Sequence, residues 1–121
     1  MPIDVQLGTT YVVEEDKIIK GFIVISSLDG KVWINWLAVS LSSHGNQIGS
    51  TLLQHAETLL KKINVSELYV ETIVEQSPPD GSYDKTITFY LKHKFEIHIK
   101  NSEESYNEFR FRKGILIKKL V

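Results

Sequence analysis

The chain has 121 residues and no cysteine, and its 14 lysine and arginine residues against 15 aspartate and glutamate residues give a formal net charge of −1. The lack of cysteine excludes disulfide frameworks and cysteine nucleophiles, and the near-neutral charge argues against nucleic acid as the main partner. We expect residues 1–121 to form a single domain. The apolar runs are too short to cross a bilayer and the first residues do not resemble a secretory signal, so we expect no membrane span and a cytoplasmic location.

The first third of the sequence predicts strands. They are expected at residues 3–7, 10–14, 18–26 and 31–40, the last three forming an antiparallel meander. Glu15-Asp16-Lys17 predicts a turn, and Asp29-Gly30 predicts a tight hairpin because glycine accepts the positive φ that such a turn requires. Trp33 and Trp36 lie three positions apart, so their side chains are expected on opposite faces of the third meander strand.

A change of periodicity after Ser40 predicts a long amphipathic helix from about Gln47 to Ile63, with Asn64 as its stop. Glu57 is expected on the wet side of this helix. Residues 67–74 predict the next strand, which would complete a right-handed β-α-β crossover.

The second half predicts a shorter helix and two more strands. Residues 75–83 contain two prolines and an Asp-Gly pair and predict a loop, after which Asp84 is a plausible N-cap for a helix that ends near Lys94. Strands are expected at residues 95–100 and 106–112, with a turn at residues 101–105. The predicted fold class is α+β, a mixed and mainly antiparallel sheet with a meander, one β-α-β crossover and two helices.

The stretch from Trp36 to Leu53 predicts a strand, a polar loop with two glycines, and the start of the long helix. Unpaired N–H groups and the helix dipole make such a helix start suitable for an anion. The loop is neither Gly-x-Gly-x-x-Gly nor a Walker loop. From these residues alone, the favoured interpretation is that Gly45 and Gly49 serve a tight turn and close packing of the helix on the sheet.

Two segments resemble signatures of the GNAT superfamily of acyl-CoA N-acyltransferases, and the resemblance runs from about Tyr11 to Phe111. The acyl-CoA signature Arg/Gln-x-x-Gly-x-Gly/Ala falls on residues 44–49, where His44 replaces the Arg or Gln and Gln47 replaces the first glycine. The second signature, Asn-x-x-Ala-x-x-Phe-Tyr-x-x-x-Gly-Phe, falls on residues 83–95. Its three aromatic positions match, while Tyr83, Thr86 and Lys94 stand at the Asn, Ala and Gly positions.

This resemblance implies an N-acetyltransferase that moves an acetyl group from acetyl-CoA to a primary amine by direct attack in a ternary complex, without a metal. Tyr90 would be the acid that serves the leaving thiolate, and Glu71 the base. Backbone N–H groups of the third meander strand would stabilise the thioester oxygen. The residues implied to contact acyl-CoA are Leu37, Ala38, Val39, His44, Gly45, Asn46, Gln47, Ile48, Gly49 and Ser50.

Several alternatives stay open at this point. Glu71 could be an exposed strand residue without a role, and Tyr90 could serve packing alone. Relatives usually carry two helices before the meander, whereas at most ten residues precede Tyr11. The acceptor site would then either be open to a protein or peptide amine, or be completed by a second subunit in a homodimer. A non-catalytic acyl-CoA-binding regulatory module with the same fold is the alternative function.

Overall fold

The structure is a computed structural model that describes residues 9–40, 47–77 and 81–121, with the backbone alone at residues 81–83. Its elements are β1 (Thr9–Glu15), β2 (Ile18–Leu28), β3 (Lys31–Val39), α1 (Ile48–Lys62), β4 (Glu67–Ser77), α2 (Gly81–Lys92), β5 (Glu96–Lys100), β6 (Glu104–Tyr106) and β7 (Phe109–Lys119). Two helices and a mainly antiparallel seven-stranded sheet confirm the predicted α+β class. The strand predicted at residues 3–7 lies outside the described residues. Neither described helix is long and apolar enough to cross a membrane.

Contacts divide the chain into two compact units, Met1–Leu68 with Leu120–Val121, and Tyr69–Lys119. In the first unit, β1, β2 and β3 pair antiparallel in that order, which confirms the predicted meander. Positive φ angles at Asp16 and Lys17 form the first turn, and those at Asp29 and Gly30 form the predicted hairpin. Helix α1 packs on these strands.

The core of the first unit is aliphatic and lies between α1 and the meander. Its buried members include Ile23, Ile25, Val32, Ile34, Leu52, Leu53, Ala56 and Leu60. The prediction for Glu57 is wrong, because this side chain is only 6% exposed. Glu57 follows Leu53 by four positions and precedes Leu60 by three, which is the spacing of the buried stripe of the helix.

A β-bulge in β3 corrects the prediction for the two tryptophans. Trp33 pairs with Ser26 and Trp36 pairs with Val24, so Asn35 is the extra residue on β3. Directly paired residues share a face, and positions 24 and 26 of a regular strand also share a face. Both indoles therefore lie on the same face of the meander, not on opposite faces.

In the second unit the strand order is β4-β7-β5, and β6 also pairs with β7. β5 and β6 both run antiparallel to β7. The predicted loop at residues 75–83 is wrong at both ends, because β4 continues to Ser77 and α2 already begins at Gly81; residues 78–80 lie outside the described residues. Asp84 is thus in the first turn of α2 and is not its N-cap. A carboxylate in the first turn is stabilised by the positive end of the helix dipole.

The last two strands also differ from their predicted limits. The segment expected to be a turn at residues 101–105 already enters β6 at Glu104, and β7 begins at Phe109 and runs on to Lys119. Asn107 at φ 55° provides the tight turn between them. In the pairing of β5 with β7, the register shifts between Ile97 and Ile99, so a bulge lies at His98.

Both helices end in the same hydrogen-bonded motif. At the end of α1, Val65 donates its N–H to Leu60 and Asn64 donates to Lys61, with Asn64 at φ 64°. At the end of α2, Phe95 donates to Tyr90 and Lys94 donates to Leu91, with Lys94 at φ 75°. This pair of bonds around a left-handed residue defines a Schellman motif. The end predicted for the long helix is confirmed, whereas the shorter helix stops at Lys92.

An ion network links three strands of the second unit. The carboxylate of Glu75 on β4 accepts a hydrogen bond from Nζ of Lys100 at 2.9 Å and another from Nε of Arg112 at 3.2 Å. Arg112 also donates from Nη1 to the backbone carbonyl of Asn101 at 2.9 Å. The Lys100 ammonium, followed by the Arg112 guanidinium, lowers the pKa of Glu75. Because Glu75 is about half exposed, the network orients β4, β5 and β7 more than it stabilises them.

Candidate active site

The start of α1 carries the first predicted acyl-CoA segment. Gln47 precedes the helix in the left-handed conformation, with φ 60° and ψ 20°. Its carbonyl accepts the backbone N–H and the hydroxyl of Thr51, each at 3.0 Å. The Gln47 side chain makes no capping bond, and the first turn of α1 has no acidic residue. The positive end of this helix therefore carries no negative charge of its own, which suits an anionic group from solution.

Residues 37–39 at the end of β3 are also predicted to contact acyl-CoA, and all three are half-buried. Ser40 donates its N–H to the carbonyl of Lys20 at 2.8 Å, which makes that pair a hydrogen-bonded pair of the β2–β3 ladder. Because hydrogen-bonded and non-hydrogen-bonded pairs alternate in an antiparallel ladder, the backbone groups of Leu37 and Val39 point away from β2.

Gly21 on β2 brings the two segments together within the first unit. A Cβ atom on Gly21 would lie 2.9 Å from the carbonyl oxygen of Ala38, 3.0 Å from Cγ2 of Ile48 and 3.2 Å from Cδ1 of Leu52. Only glycine leaves room for the first turns of α1 to approach β2 and β3 this closely. The sequence reasoning missed Gly21; the signal was a lone glycine inside an otherwise β-branched and apolar strand.

The remaining residues of the first signature divide into two groups. Ile48 is buried and Gly49 and Ser50 are half-buried in the first turn of α1, so the small side chains of the motif lie next to the helix start. His44, Gly45 and Asn46 lie outside the described residues. Their contact with acyl-CoA stays a prediction.

The two predicted catalytic side chains both belong to the second unit. Tyr90 on α2 is only 5% exposed, and its ring contacts Phe89 and Phe95 edge-on, with centroids 5.3 and 5.1 Å apart. Burial raises the pKa of Tyr90 to about 12. Glu71 is an exposed residue of β4. Within the described part of the chain, no group of three or more histidine, aspartate or glutamate residues could hold a metal ion.

Comparison with known proteins identifies the family. Residues 6–97, most of the chain, match the family described as the acetyltransferase (GNAT) domain. The chain belongs to the GNAT acetyltransferases. It is therefore an N-acetyltransferase by family, as the two signatures predicted. No curated protein matches the sequence.

Solved GNAT structures share the fold at low sequence identity. The ribosomal-protein-S18-alanine N-acetyltransferase from Escherichia coli superposes with a TM-score of 0.76 at 16% identity over 93% of this chain and 69% of its own. A GNAT family acetyltransferase from Elizabethkingia anophelis, solved with acetyl-CoA bound, gives 0.74 at 19% identity over 93% and 76%. The PaiA N-acetyltransferase from Thermoplasma acidophilum, solved with coenzyme A, gives 0.71 at 20% identity over 93% and 60%.

Two of the departures from the family signatures lie at positions with a positive φ angle. Gln47 and Lys94 stand where the signatures have glycine, and both adopt positive φ, at 60° and 75°. Glycine populates this region without the steric penalty that a Cβ atom brings. The backbone thus keeps the conformation that the family's glycines allow, which supports the alignment of both signatures with this chain.

Proposed function

We propose that this GNAT domain transfers an acetyl group from acetyl-CoA to a primary amine by direct attack in a ternary complex, in the cytoplasm. The observation that carries the proposal is the meeting of the α1 start with the end of β3 around Gly21. The positive end of the helix there suits the pyrophosphate of the ligand.

The residues implied to hold acetyl-CoA are those of β3, residues 37–39, and of the α1 entry, residues 44–50. Acetyl-CoA supplies an activated thioester carbonyl. Backbone N–H groups at the end of β3 would hold the carbonyl oxygen as its negative charge develops, and their fixed position in the ladder means that little reorganisation is needed.

Tyr90 would serve the leaving sulfur as a hydrogen-bond donor. With a pKa of about 12, its phenol keeps its proton at neutral pH. A thiol has a pKa of roughly 8.5, so complete transfer of the proton from Tyr90 to the thiolate would be uphill, whereas a hydrogen bond to the sulfur costs nothing comparable. The amine loses its proton to a base, and Glu71, which is exposed, would accept it through water.

Two observations favour the alternative of a non-catalytic acyl-CoA-binding module. The raised pKa of Tyr90 makes it a weak acid, and β3 carries no carboxylate that could act as a base. The first unit could then retain the ligand while the second unit contributes little to the chemistry. Both functions require binding of acetyl-CoA, and only the first requires turnover.

The acceptor and the assembly are further parts of the proposal. The acceptor is a small-molecule or peptide amine, and a second copy of the chain is proposed to wall the acceptor site in a homodimer. Light scattering at working concentration tests the dimer. A mass of 13.9 kDa, that of one chain, would contradict it.

Two measurements on one protein sample test the function. A ligand that binds only the folded state raises the free energy of unfolding by roughly 2.7 kcal/mol at a hundredfold excess over its dissociation constant, so acetyl-CoA should raise Tm by several degrees. Release of free CoA thiol with a panel of amines then separates an enzyme from a binding module. Tyr90→Phe should lower turnover while leaving the acetyl-CoA shift of Tm in place. No shift with acetyl-CoA would contradict both functions.

A further inference from the structure

We propose that Trp36 is the acceptor-binding residue of this enzyme, and that its substrate is a small primary amine attached to an aromatic body. The inference rests on the proposed function, because it names the acceptor of the same reaction. The bulge at Asn35 turns Trp33 and Trp36 to one side of the meander.

The face that carries the indoles lies opposite α1, and we call it the indole face. By register, the part of this face around Trp36 consists of Thr10, Val12, Phe22, Val24, Ser26, Trp33, Trp36 and Ala38. The same face continues to Glu14 and Lys20 at one end and to Leu28 and Lys31 at the other. The other face carries Gly21, Ile23 and Ile25, which are buried, with Gly21 next to α1. On the indole face Trp36 is 66% exposed and Val12 is 49% exposed, so this apolar surface is accessible within the described part of the first unit.

The position of Trp36 connects the indole face to the reacting group. Trp36 is bonded to Leu37, the first of the three β3 residues proposed to hold the thioester, and it shares its face with Ala38. Residues two apart on a strand are roughly 7 Å from each other. An amine whose body lies on Trp36 therefore reaches the carbonyl carbon held beside residues 37–39.

The chemistry of the indole face selects the kind of amine. The members around Trp36 are uncharged, and the ionisable members, Glu14, Lys20 and Lys31, lie at the two ends of the face. The carboxylate of Glu14 lies at the same end as the ammonium of Lys20, which offsets its attraction for an acceptor with several ammonium groups. An aromatic body can stack on an indole, and a single ammonium gains a cation–π contact with it. Partial removal of water from the amine also favours its neutral, nucleophilic form, which matters on a strand without a carboxylate base.

A side-chain hydrogen bond holds the bulge that creates this surface. Nδ2 of Asn35 donates to Oγ of Ser26, across the β2–β3 pair at the point where the register shifts. Asn35 is thus a positioning residue, and without its extra place in β3 Trp36 would turn toward the α1 side of the meander.

Steady-state release of CoA thiol tests the proposal with three amines, namely 2-phenylethylamine, 2-aminoethanol and spermidine. We expect the highest kcat/KM for 2-phenylethylamine. Trp36→Ala should lower that value roughly tenfold through the KM of the amine, with less than a twofold change for 2-aminoethanol and for the KM of acetyl-CoA. Leu28→Ala is the matched control, because Leu28 on β2 is 64% exposed yet lies at the far end of the hairpin. Its kcat/KM values should equal those of the wild type.

Intrinsic fluorescence gives a readout that does not depend on turnover. In the presence of CoA, 2-phenylethylamine should change the tryptophan emission of the wild type saturably, and Trp36→Ala should abolish the change without altering Tm. If the wild type releases no thiol with any amine and still shows this saturable change, that result contradicts the proposed catalysis but supports the indole face as an amine-binding site. Turnover that favours spermidine, or that Trp36→Ala leaves unchanged, overturns the inference while the acetyltransferase function stands.

Discussion

Phe95 donates its backbone N–H to the carbonyl of Tyr90 at 3.0 Å, and their rings meet edge-on at 5.1 Å. Both contacts require the chain to reverse at Lys94, in the left-handed conformation at φ 75°. The end of α2 thereby fixes the backbone of the proposed hydrogen-bond donor. Phe95, at the aromatic position that follows the glycine position of the second signature, makes the hydrophobic contact of a Schellman motif with Tyr90.

Lys94→Gly should stabilise the protein. Glycine adopts the left-handed conformation without a Cβ clash, so we expect the free energy of unfolding to rise by about 1 kcal/mol and Tm by roughly 4 °C. Thr88→Gly, an exposed position inside α2, is the control and should lower the free energy of unfolding by about 1 kcal/mol. Thermal and urea denaturation measure both. If the two variants change stability in the same direction, the left-handed conformation of Lys94 is wrong.

Gln47→Gly should raise stability by a similar amount, because Gln47 also adopts positive φ. This variant should bind acetyl-CoA at least as tightly as the wild type, since the first signature has glycine at this position. Isothermal titration with acetyl-CoA measures the affinity. Clearly weaker binding by a stable Gln47→Gly variant would show that the alignment of the first signature is incorrect.

Burial of Tyr90 should make the folded state sensitive to alkali. The phenol loses its proton near pH 10 in the unfolded chain and only near pH 12 in the folded one. Between these values the unfolded state binds fewer protons, so the free energy of unfolding falls as the pH rises. Between pH 8 and pH 11, the free energy of unfolding of the wild type should fall by about 1.4 kcal/mol more than that of Tyr90→Phe. Urea titrations of both proteins at the two pH values give the difference; equal losses would contradict it.

Gly21→Ala should disturb the first unit and the candidate acyl-CoA site together. The new methyl group would lie 2.9 Å from the Ala38 carbonyl oxygen, which cannot move without disturbing the β2–β3 ladder. We expect a loss of about 1–3 kcal/mol in the free energy of unfolding and weaker binding of acetyl-CoA by the folded variant. Gly30→Ala is the control, because its methyl group meets no atom within 4 Å and strains only the hairpin turn. That variant should lose stability without losing affinity for acetyl-CoA.

Local signals in the sequence predicted most of the fold. The Asp29-Gly30 turn, the apolar stripe of α1 and the stop at Asn64 each depend on neighbouring residues, and the structure confirms all three. The limits of the last strands were less accurate. β7 runs on to Lys119, and its residues 114–117 pair with β5, a strand from an earlier part of the chain that no local pattern points to.

The candidate site was predictable only in part. The signatures located Gln47 and Tyr90, but the role of Gly21 depends on the approach of Ile48 from across the fold, which no local pattern encodes. A strict two-residue period puts the two tryptophans on opposite faces of β3. One extra residue in β3 reverses that assignment, and a bulge has no reliable signature in a single sequence.

The shifted register at His98 has a consequence for the behaviour of the protein at high concentration. β5 ends the strand order β4-β7-β5 in the second unit, and its outer backbone groups would otherwise offer a straight template to any extended chain. The displaced backbone at His98, flanked by the charges of Glu96 and Lys100, breaks that template in its middle. The bulge thereby disfavours aggregation by pairing of further chains with the β5 edge.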